Sequence, residues 1–418
     1  MRILVVTNLY PPHAHGGYEL SCRDVMVRLA DRGHDVAVLT TGERIAGVDD
    51  GPGEPPGAVE RRLEWYWSDH RLLSPRLVRR MSIERRNQER LRRALDRHRP
   101  DVVSVWNMGA MSLGLLATVI ERDIPLLLAV CDDWLCYGPR LDAWTRAVDR
   151  AGPWARAAAR MLGAPAAPHD LGQRATVCFV SDFTRTRALE ESRWSLPDTT
   201  VVYSGIDAED FGPAPEDVGE RGEWRGRLLY VGRLDERKGV FTILDALDHL
   251  PDSTLRLVGS GDPEVEQRLR DRIEAAGWTE RVTMGMVERS ALSAVYRDAD
   301  AFVFASEWDE PFGLTPLEAM ACGTPVVATG TGGSGEFLVE GHNCIRFQPG
   351  DSLDLAAAVG RLRRDPELVA RLVTAGRATA AQLTTDGLTD ALEEWHQAVA
   401  ERFRHGRPDR RIHVGQDQ

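Results

Sequence analysis

Short apolar runs, each handed on to a stretch of helical pattern, recur along this 418-residue chain in two separate series. The first opens at residues 3–7, passes a Pro- and Gly-bearing loop to Gly17 and a helix to about Arg32, and continues at 36–40, 102–106, 126–130 and 176–180. The second runs through 228–231, 255–258, 282–284, 302–305 and 326–329. Such alternation predicts parallel sheets clad by helices on both faces. The polar, Pro- and Gly-bearing segment 207–226 interrupts the pattern. The length also exceeds what one core usually covers, so two doubly wound α/β domains are expected, with a ligand in the cleft between the carboxyl ends of both sheets. The boundaries read as 1–204 and 205–390. A helix crossing back to the N-terminal domain and a frayed tail are expected over 391–418.

Bulk chemistry excludes several roles. A formal charge of −12 argues against nucleic-acid binding, which needs a net basic face. Residues 61–100 run the other way, with thirteen Arg against five acids and with Trp65, Tyr66 and Trp67 at the start. That pattern suits an anionic membrane surface or acceptor, or simply a solvated helix face. Six cysteines scattered without CxxC spacing read as reduced core residues, and no zinc site is implied. No apolar run approaches the roughly 20 residues needed to span a bilayer. No basic region or cleavage pattern precedes the apolar residues 3–6. A cytoplasmic protein, peripheral at most at the inner face of the membrane, is expected.

Of the 52 basic residues, only Lys238 is a lysine. Where Arg is accepted almost everywhere, a surviving ammonium suggests a position that the planar guanidinium does not suit, such as a phosphate approached at close range. Lys238 sits in Gly232-Arg233-Leu234-Asp235-Glu236-Arg237-Lys238-Gly239, directly after the apolar run 228–231. A strand emptying into such a loop is where a doubly wound domain holds a phosphate-bearing ligand. A second loop, from Glu310 through Pro311, Phe312 and Gly313 to Glu318, follows the run 302–305 and enters a helix near Thr315 or Pro316. Its two carboxylates can each grip vicinal hydroxyls, while N–H groups at Phe312 to Leu314 face phosphate oxygens. Alternatively, Glu310 is a surface residue and Glu318 a helix acid offsetting the macrodipole.

These strings resemble the nucleotide-sugar domain of the retaining GT-B glycosyltransferases of family 4. The resemblance rests on Val231-Gly232-Arg233 with Lys238-Gly239, on Leu257 to Gly261, on Glu310 to Gly313 with Glu318-Ala319-Met320, on Gly323 to Ala328, and on Gly332-Gly333 with Glu336. It is strong over about 200–390 and implies two Rossmann-like domains, the first (1–204) binding an acceptor and the second (205–390) a nucleoside-diphosphate sugar. It implies catalytic roles for Arg233, Lys238 and Glu310. Donor contacts would come from Gly16, Gly17, Gly232, Arg233, Lys238, Gly259, Met286, Val287, Glu310, Phe312, Gly313, Leu314 and Glu318. Arg233 and Lys238 would meet the diphosphate, Glu310 the donor sugar and Glu318 the ribose.

The N-terminal half resembles the family more loosely. Tyr10-Pro11-Pro12 with Gly16-Gly17 is similar to its first loop, where Gly permits close approach and positive φ. Val202 to Asp207 is similar to its interdomain signature, with Ser204 where Asn is usual. At Val130-Cys131-Asp132-Asp133-Trp134, Cys131 stands where many members place His, which leaves Asp132 or Asp133 as acceptor-side candidates, or as loop and capping acids.

Gly330, Gly332 and Gly335 form a GxGxxG pattern outside a dinucleotide-fold context and read as a sugar-phosphate loop. Asp298-Ala299-Asp300 mimics a metal-binding DxD but lies where a helix runs into a strand, so no metal and no cofactor are invoked. The expected reaction is metal-independent transfer to an acceptor hydroxyl, or another nucleophile, on a small molecule, glycan or lipid-linked compound. It would proceed with retention and same-face attack, and domain closure would exclude water. A nucleotide-sugar epimerase and a non-catalytic nucleotide-sugar binder are the alternatives.

Overall fold

A computed structural model describes residues 1–45, 47–49, 58–68, 71–168, 170–172, 175–212 and 223–405. Its contacts group into two units. One comprises Met1–Phe179, Arg185–Val202 and the chain from Thr389 onward; the other comprises Val180–Thr184 and Tyr203–Leu388.

The strands of the first unit are β1 (Arg2–Val6), β2 (Asp35–Thr41), β3 (Val59–Leu63), a small hairpin of β4 (Trp67–Ser68) and β5 (Arg71–Leu72), β6 (Val102–Val105), β7 (Leu126–Val130), β8 (Ala175–Phe179) and β9 (Thr199–Val201). Seven of them form a parallel sheet in the order β3-β2-β1-β6-β7-β8-β9. Every residue of β6, β7 and β8 is buried, as a strand covered by helices on both faces must be. The edge strands differ: β3 reads Val-Glu-Arg-Arg-Leu and is mostly half-exposed.

Much of the Arg-rich stretch forms helix Leu77–His98, whose cations are largely paired. Arg86 and Arg90 reach Glu64 at 2.5 and 2.9 Å, and Arg97 bonds Glu60. Arg80 is buried, with its guanidinium 4.6 Å from the centre of the Tyr66 ring. Helix Thr385–His405 begins in the second unit, and from Thr389 its residues group with the first. There Arg402 bonds Asp198 at 2.7 Å, and Glu393 bonds Arg32 and His34 at 2.6 and 2.8 Å.

The second unit carries β10 (Arg227–Val231), β11 (Thr254–Val258), β12 (Val282–Gly285), β13 (Ala301–Phe304), β14 (Val326–Ala328) and β15 (Ile345–Arg346). They form a parallel sheet in the order β12-β11-β10-β13-β14-β15. Helix starts follow local chemistry. Asp262 and Asp365 each cap a helix whose first residue is Pro, their side chains accepting the N–H of Glu264 and Leu368. Asp300 is likewise structural: its carboxylate accepts the N–H groups of Arg225 and Arg227 at 2.9 and 2.8 Å, while Asp298 pairs with Arg227 at 2.5 Å. The six cysteines are free, and five of them are buried. Among the described residues, no helix is long and apolar enough to cross a membrane.

Candidate active site

The order of the second sheet fixes where a ligand can sit. From β10 the chain winds outward through β11 to β12, then returns to the opposite side of β10 as β13. The loops leaving β10 and β13 therefore diverge, and the crevice at their carboxyl ends is the switch point of the fold. Lys238 stands on the first loop, in the turn Glu236–Lys238, and Glu310 on the second. They meet there: Lys238 Nζ lies 2.5 Å from Glu310 Oε1. Ser306 Oγ donates to the same oxygen at 2.8 Å, and Glu310 is only 4% exposed. The Trp308 ring lies beneath both neighbouring cations, 5.5 Å from Lys238 Nζ and 5.1 Å from the Arg237 guanidinium. Arg237 is held by Asp235 at 2.7 Å, whereas Arg233 is exposed; its carbonyl accepts from Tyr230 Oη at 2.6 Å.

Two glycines let these loops close on one another. Gly239 has φ +69°, and a Cβ there would stand 1.9 Å from the Ala305 carbonyl oxygen at the end of β13. Gly259 has φ +145°, and a Cβ would stand 1.9 Å from the Gly232 oxygen. Both positions exclude a side chain on conformation and on space. The same backbone approach carries Gly232 N–H to the Val258 oxygen and Leu234 N–H to the Ser260 oxygen, at 3.0 and 2.9 Å.

Glu318 lies in the helix Thr315–Ala321 and is 5% exposed. Tyr296 Oη donates to its Oε2 at 2.7 Å, and Arg289 stands 3.7 Å from Oε1. Burial pushes the carboxyl above its usual range, while Arg289 and the tyrosine bond oppose that shift. Sequence reasoning did not find Arg289, Tyr296, Ser306 or Trp308. A signal existed for the first two, which sit seven residues apart on one face of helix Arg289–Asp298. The Phe312 side chain is buried, stacked on Tyr203 at 5.7 Å and tilted against Phe337 at 5.0 Å, so any ligand contact falls to its backbone. Met286, 71% exposed, and Val287 follow the edge strand β12. Glu336 accepts the N–H groups of Asp182 and Phe183 at 3.0 and 2.8 Å.

In the first unit the switch point lies between β1 and β6. Gly16 and Gly17 open the helix that follows β1, but not for the conformational reason expected from sequence. Gly16 is extended at φ −175°, neither residue has a positive φ, and a Cβ on Gly16 would meet nothing within 4 Å. Its N–H is already taken by Glu19 Oε2 at 3.0 Å. Of the Trp65–Trp67 group, Tyr66 is core and Trp65 Nε1 donates to the Gly109 oxygen.

Beyond β7 the two candidate acids separate in character. Asp133 is paired with Arg187 at 3.1 Å. Asp132 accepts from Trp134 N–H and Tyr137 Oη, both at 2.9 Å, and its pKa is pushed up to about 7. Burial is the main cause, those two hydrogen bonds oppose it, and the carboxylates of Asp133 and Glu19 add to it. A raised acid pKa penalises the folded state once the unfolded chain has ionised, at about pH 4, and the penalty grows until pH 7. Asp132→Asn should therefore gain thermal stability over the parent progressively from pH 4 to pH 7 and level off above it. A melting-temperature difference that stays flat with pH would contradict this account.

Residues 15–210 match the family described as Glycosyltransferase Family 4, and residues 219–379 match that described as Glycosyl transferases group 1. The glycogen synthase of Mycobacterium tuberculosis is 28% identical over 413 residues, covering 92% of this chain and 91% of that protein. A D-inositol 3-phosphate glycosyltransferase of Xylanimonas cellulosilytica is 34% identical over 217 residues, 48% of this chain and 52% of the relative. The fold is shared with the sucrose-phosphate synthase of Thermosynechococcus elongatus, with TM-score 0.70, 20% identity and coverage of 95% and 98%. It is also shared with Anabaena Alr3699/HepE in complex with UDP and glucose, with TM-score 0.69, 21% identity and coverage of 95% and 99%. Carrying both domain families in this order on two parallel-sheet α/β units, the chain belongs to the family 4 glycosyltransferases of GT-B fold and is a glycosyltransferase.

Proposed function

We propose that this enzyme moves a sugar from a nucleoside-diphosphate sugar to an acceptor hydroxyl, with retention and without a metal ion or cofactor. The observation that carries the reading is the Lys238–Glu310 pair at the switch point of the second sheet. An ammonium has three donors, and Glu310 uses one, which leaves two for diphosphate oxygens. The bonds from Lys238 and Ser306 both fall on Glu310 Oε1, so Oε2 is the atom to accept from a hydroxyl of the donor sugar. Glu318, fixed by Tyr296 and Arg289, takes the ribose hydroxyls. The bond from the anomeric carbon to the diphosphate breaks as the acceptor oxygen attacks on the same face, and the departing phosphate oxygen receives the acceptor proton. Negative charge grows on the diphosphate, and Arg233 and Lys238, with N–H groups near Gly313, neutralise it. A relative named glycogen synthase and a neighbour crystallised with UDP and glucose support this chemistry.

The donor site is tested by thermal shift against uridine, guanosine, adenosine and thymidine diphosphates. One of the four should stabilise the protein, and Lys238→Ala and Glu318→Ala should abolish the shift. Equal shifts in parent and variants would overturn the assignment. Release of nucleoside diphosphate only when acceptor is supplied separates transfer from epimerisation.

A further inference from the structure

In the first unit, helix Pro153–Met161 presents its apolar residues to solvent. Ala159 is its one fully buried residue, packed with Trp144, Val148 and Ala164. Polar ties fasten the rest of its inner side: Arg156 bonds Asp149 at 2.6 Å and the Ala167 oxygen at 3.0 Å. The outward face carries Trp154, Ala158 and Met161 at i, i+4 and i+7, with Ala157 between them and Leu162 after the last turn. Trp154 and Met161 are each 88% exposed and Leu162 51%. A surface helix of a soluble domain normally turns charged residues outward, so this amphipathicity is inverted.

Beside this face lies a concavity of about 280 Å³ lined by Arg140, Arg146, Asp149, Arg150 and Arg193. Four arginines meet one acid there, Asp149. Asp149 is also engaged by Arg156, and among the described residues the carboxylate paired with these four guanidiniums from outside the concavity is Glu191, 4.0 Å from Arg140. Arg146 and Arg150 are also spaced i, i+4 on helix Ala143–Arg150, where like charges oppose helix formation. Gathering cations in this way, on a chain with a net charge of −12, needs a counter-charge from elsewhere. Arg150 and Trp154 are four residues apart, at most about 14 Å of chain, so the basic hollow and the apolar face are contiguous. Aromatic and aliphatic side chains flanked by Arg are the pattern of a helix lying in a lipid headgroup layer, with Trp at the interface and cations against phosphates.

We propose that this face docks the enzyme on an anionic bilayer surface, with Trp154, Met161 and Leu162 inserted among the headgroups and the arginine hollow receiving lipid phosphates. The inference does not depend on the donor-site assignment, since attachment is measured without any sugar nucleotide. The test is co-sedimentation of the full chain with vesicles of phosphatidylcholine alone or of phosphatidylcholine with a quarter phosphatidylglycerol, at low and at high salt. The parent should bind the anionic vesicles, release them in high salt, and ignore the neutral ones. Trp154→Ser/Met161→Ser and Arg146→Glu/Arg150→Glu should each lower partitioning by about tenfold or more. All these side chains are exposed, and unchanged circular dichroism and melting temperature confirm that the variants fold.

Several outcomes would overturn the proposal. Sedimentation of the parent with neither vesicle is one, and binding of both variants at the parent's level is another. Stabilisation by inorganic phosphate without vesicle binding would make the hollow a site for a free anion. A concentration-dependent dimer abolished by Trp154→Ser/Met161→Ser would show that a second copy covers the face.

Discussion

Lys238→Ala is expected to lower kcat/KM for glycosyl transfer by about a hundredfold or more, the range seen when a donor aimed at developing negative charge is removed. The same change strips a buried carboxylate of its cation, because Glu310 is 4% exposed and Lys238 stands 2.5 Å away. Stability should fall too, by about 1–3 kcal/mol, less than for a fully buried pair because Lys238 keeps 26% of its side chain in water. The two effects are separable. In Lys238→Ala/Glu310→Gln the residual amide is neutral, so the melting temperature should recover while activity does not. Recovery of both would show that the lysine acts only by holding the loop.

Lys238→Arg is the sharper comparison in a chain that uses Arg at every other basic position. The ammonium sits between Glu310 Oε1 and the Trp308 ring, on a turn whose next residue abuts the Ala305 carbonyl. A planar fork cannot occupy that point without displacing one of them, so Arg should recover less than a tenth of the activity, by order of magnitude. Full rescue by Arg would remove the reason offered for the solitary lysine.

What the sequence disclosed follows from where each element lies in its sheet. Strands β7, β10, β13 and β14 were legible to within a residue or two because a parallel strand buried on both faces is an unbroken apolar run. The strands it concealed lie at edges: β3 with Glu60, Arg61 and Arg62, β9 as Thr-Thr-Val, and β15 with only two residues. One open face relaxes the apolar demand, and the signal disappears with it.

The site divides in a similar way. Lys238 and Glu310 announce themselves by loop composition, and the sheet order brings them together across 72 positions. Arg289 and Tyr296 share a helix face that the sequence spacing carries, but only tertiary packing shows that they, like Ser306, serve a carboxylate. The Gly16-Gly17 pair shows the opposite error. Two glycines suggested a positive φ, yet the chain there is extended and then helical, conformations open to any residue.

Gly259→Ala should be strongly destabilising, and Gly277→Ala supplies its internal control. Both residues have positive φ, +145° and +69°. A Cβ on Gly277 meets nothing within 4 Å, so its substitution reports backbone strain alone, about 1–2 kcal/mol. At Gly259 the added methyl would lie 1.9 Å from the Gly232 oxygen, and that atom is backbone, with no rotamer to turn aside. Relief requires the loops after β10 and β11 to part, which breaks the Gly232 N–H bond to the Val258 oxygen and the Leu234 N–H bond to the Ser260 oxygen. Strain, a lost close approach and two ladder-end hydrogen bonds together amount to about 3–5 kcal/mol, or a fall of roughly 10 °C in melting temperature for a unit of this size. Because the first of those loops carries Arg233 and Lys238, the variant should also lose nucleoside-diphosphate binding at temperatures where it remains folded. Gly277→Ala should bind as the parent does. If Gly259→Ala melted with Gly277→Ala and kept its ligand, the close packing of the two loops would not be what sets the position of the lysine.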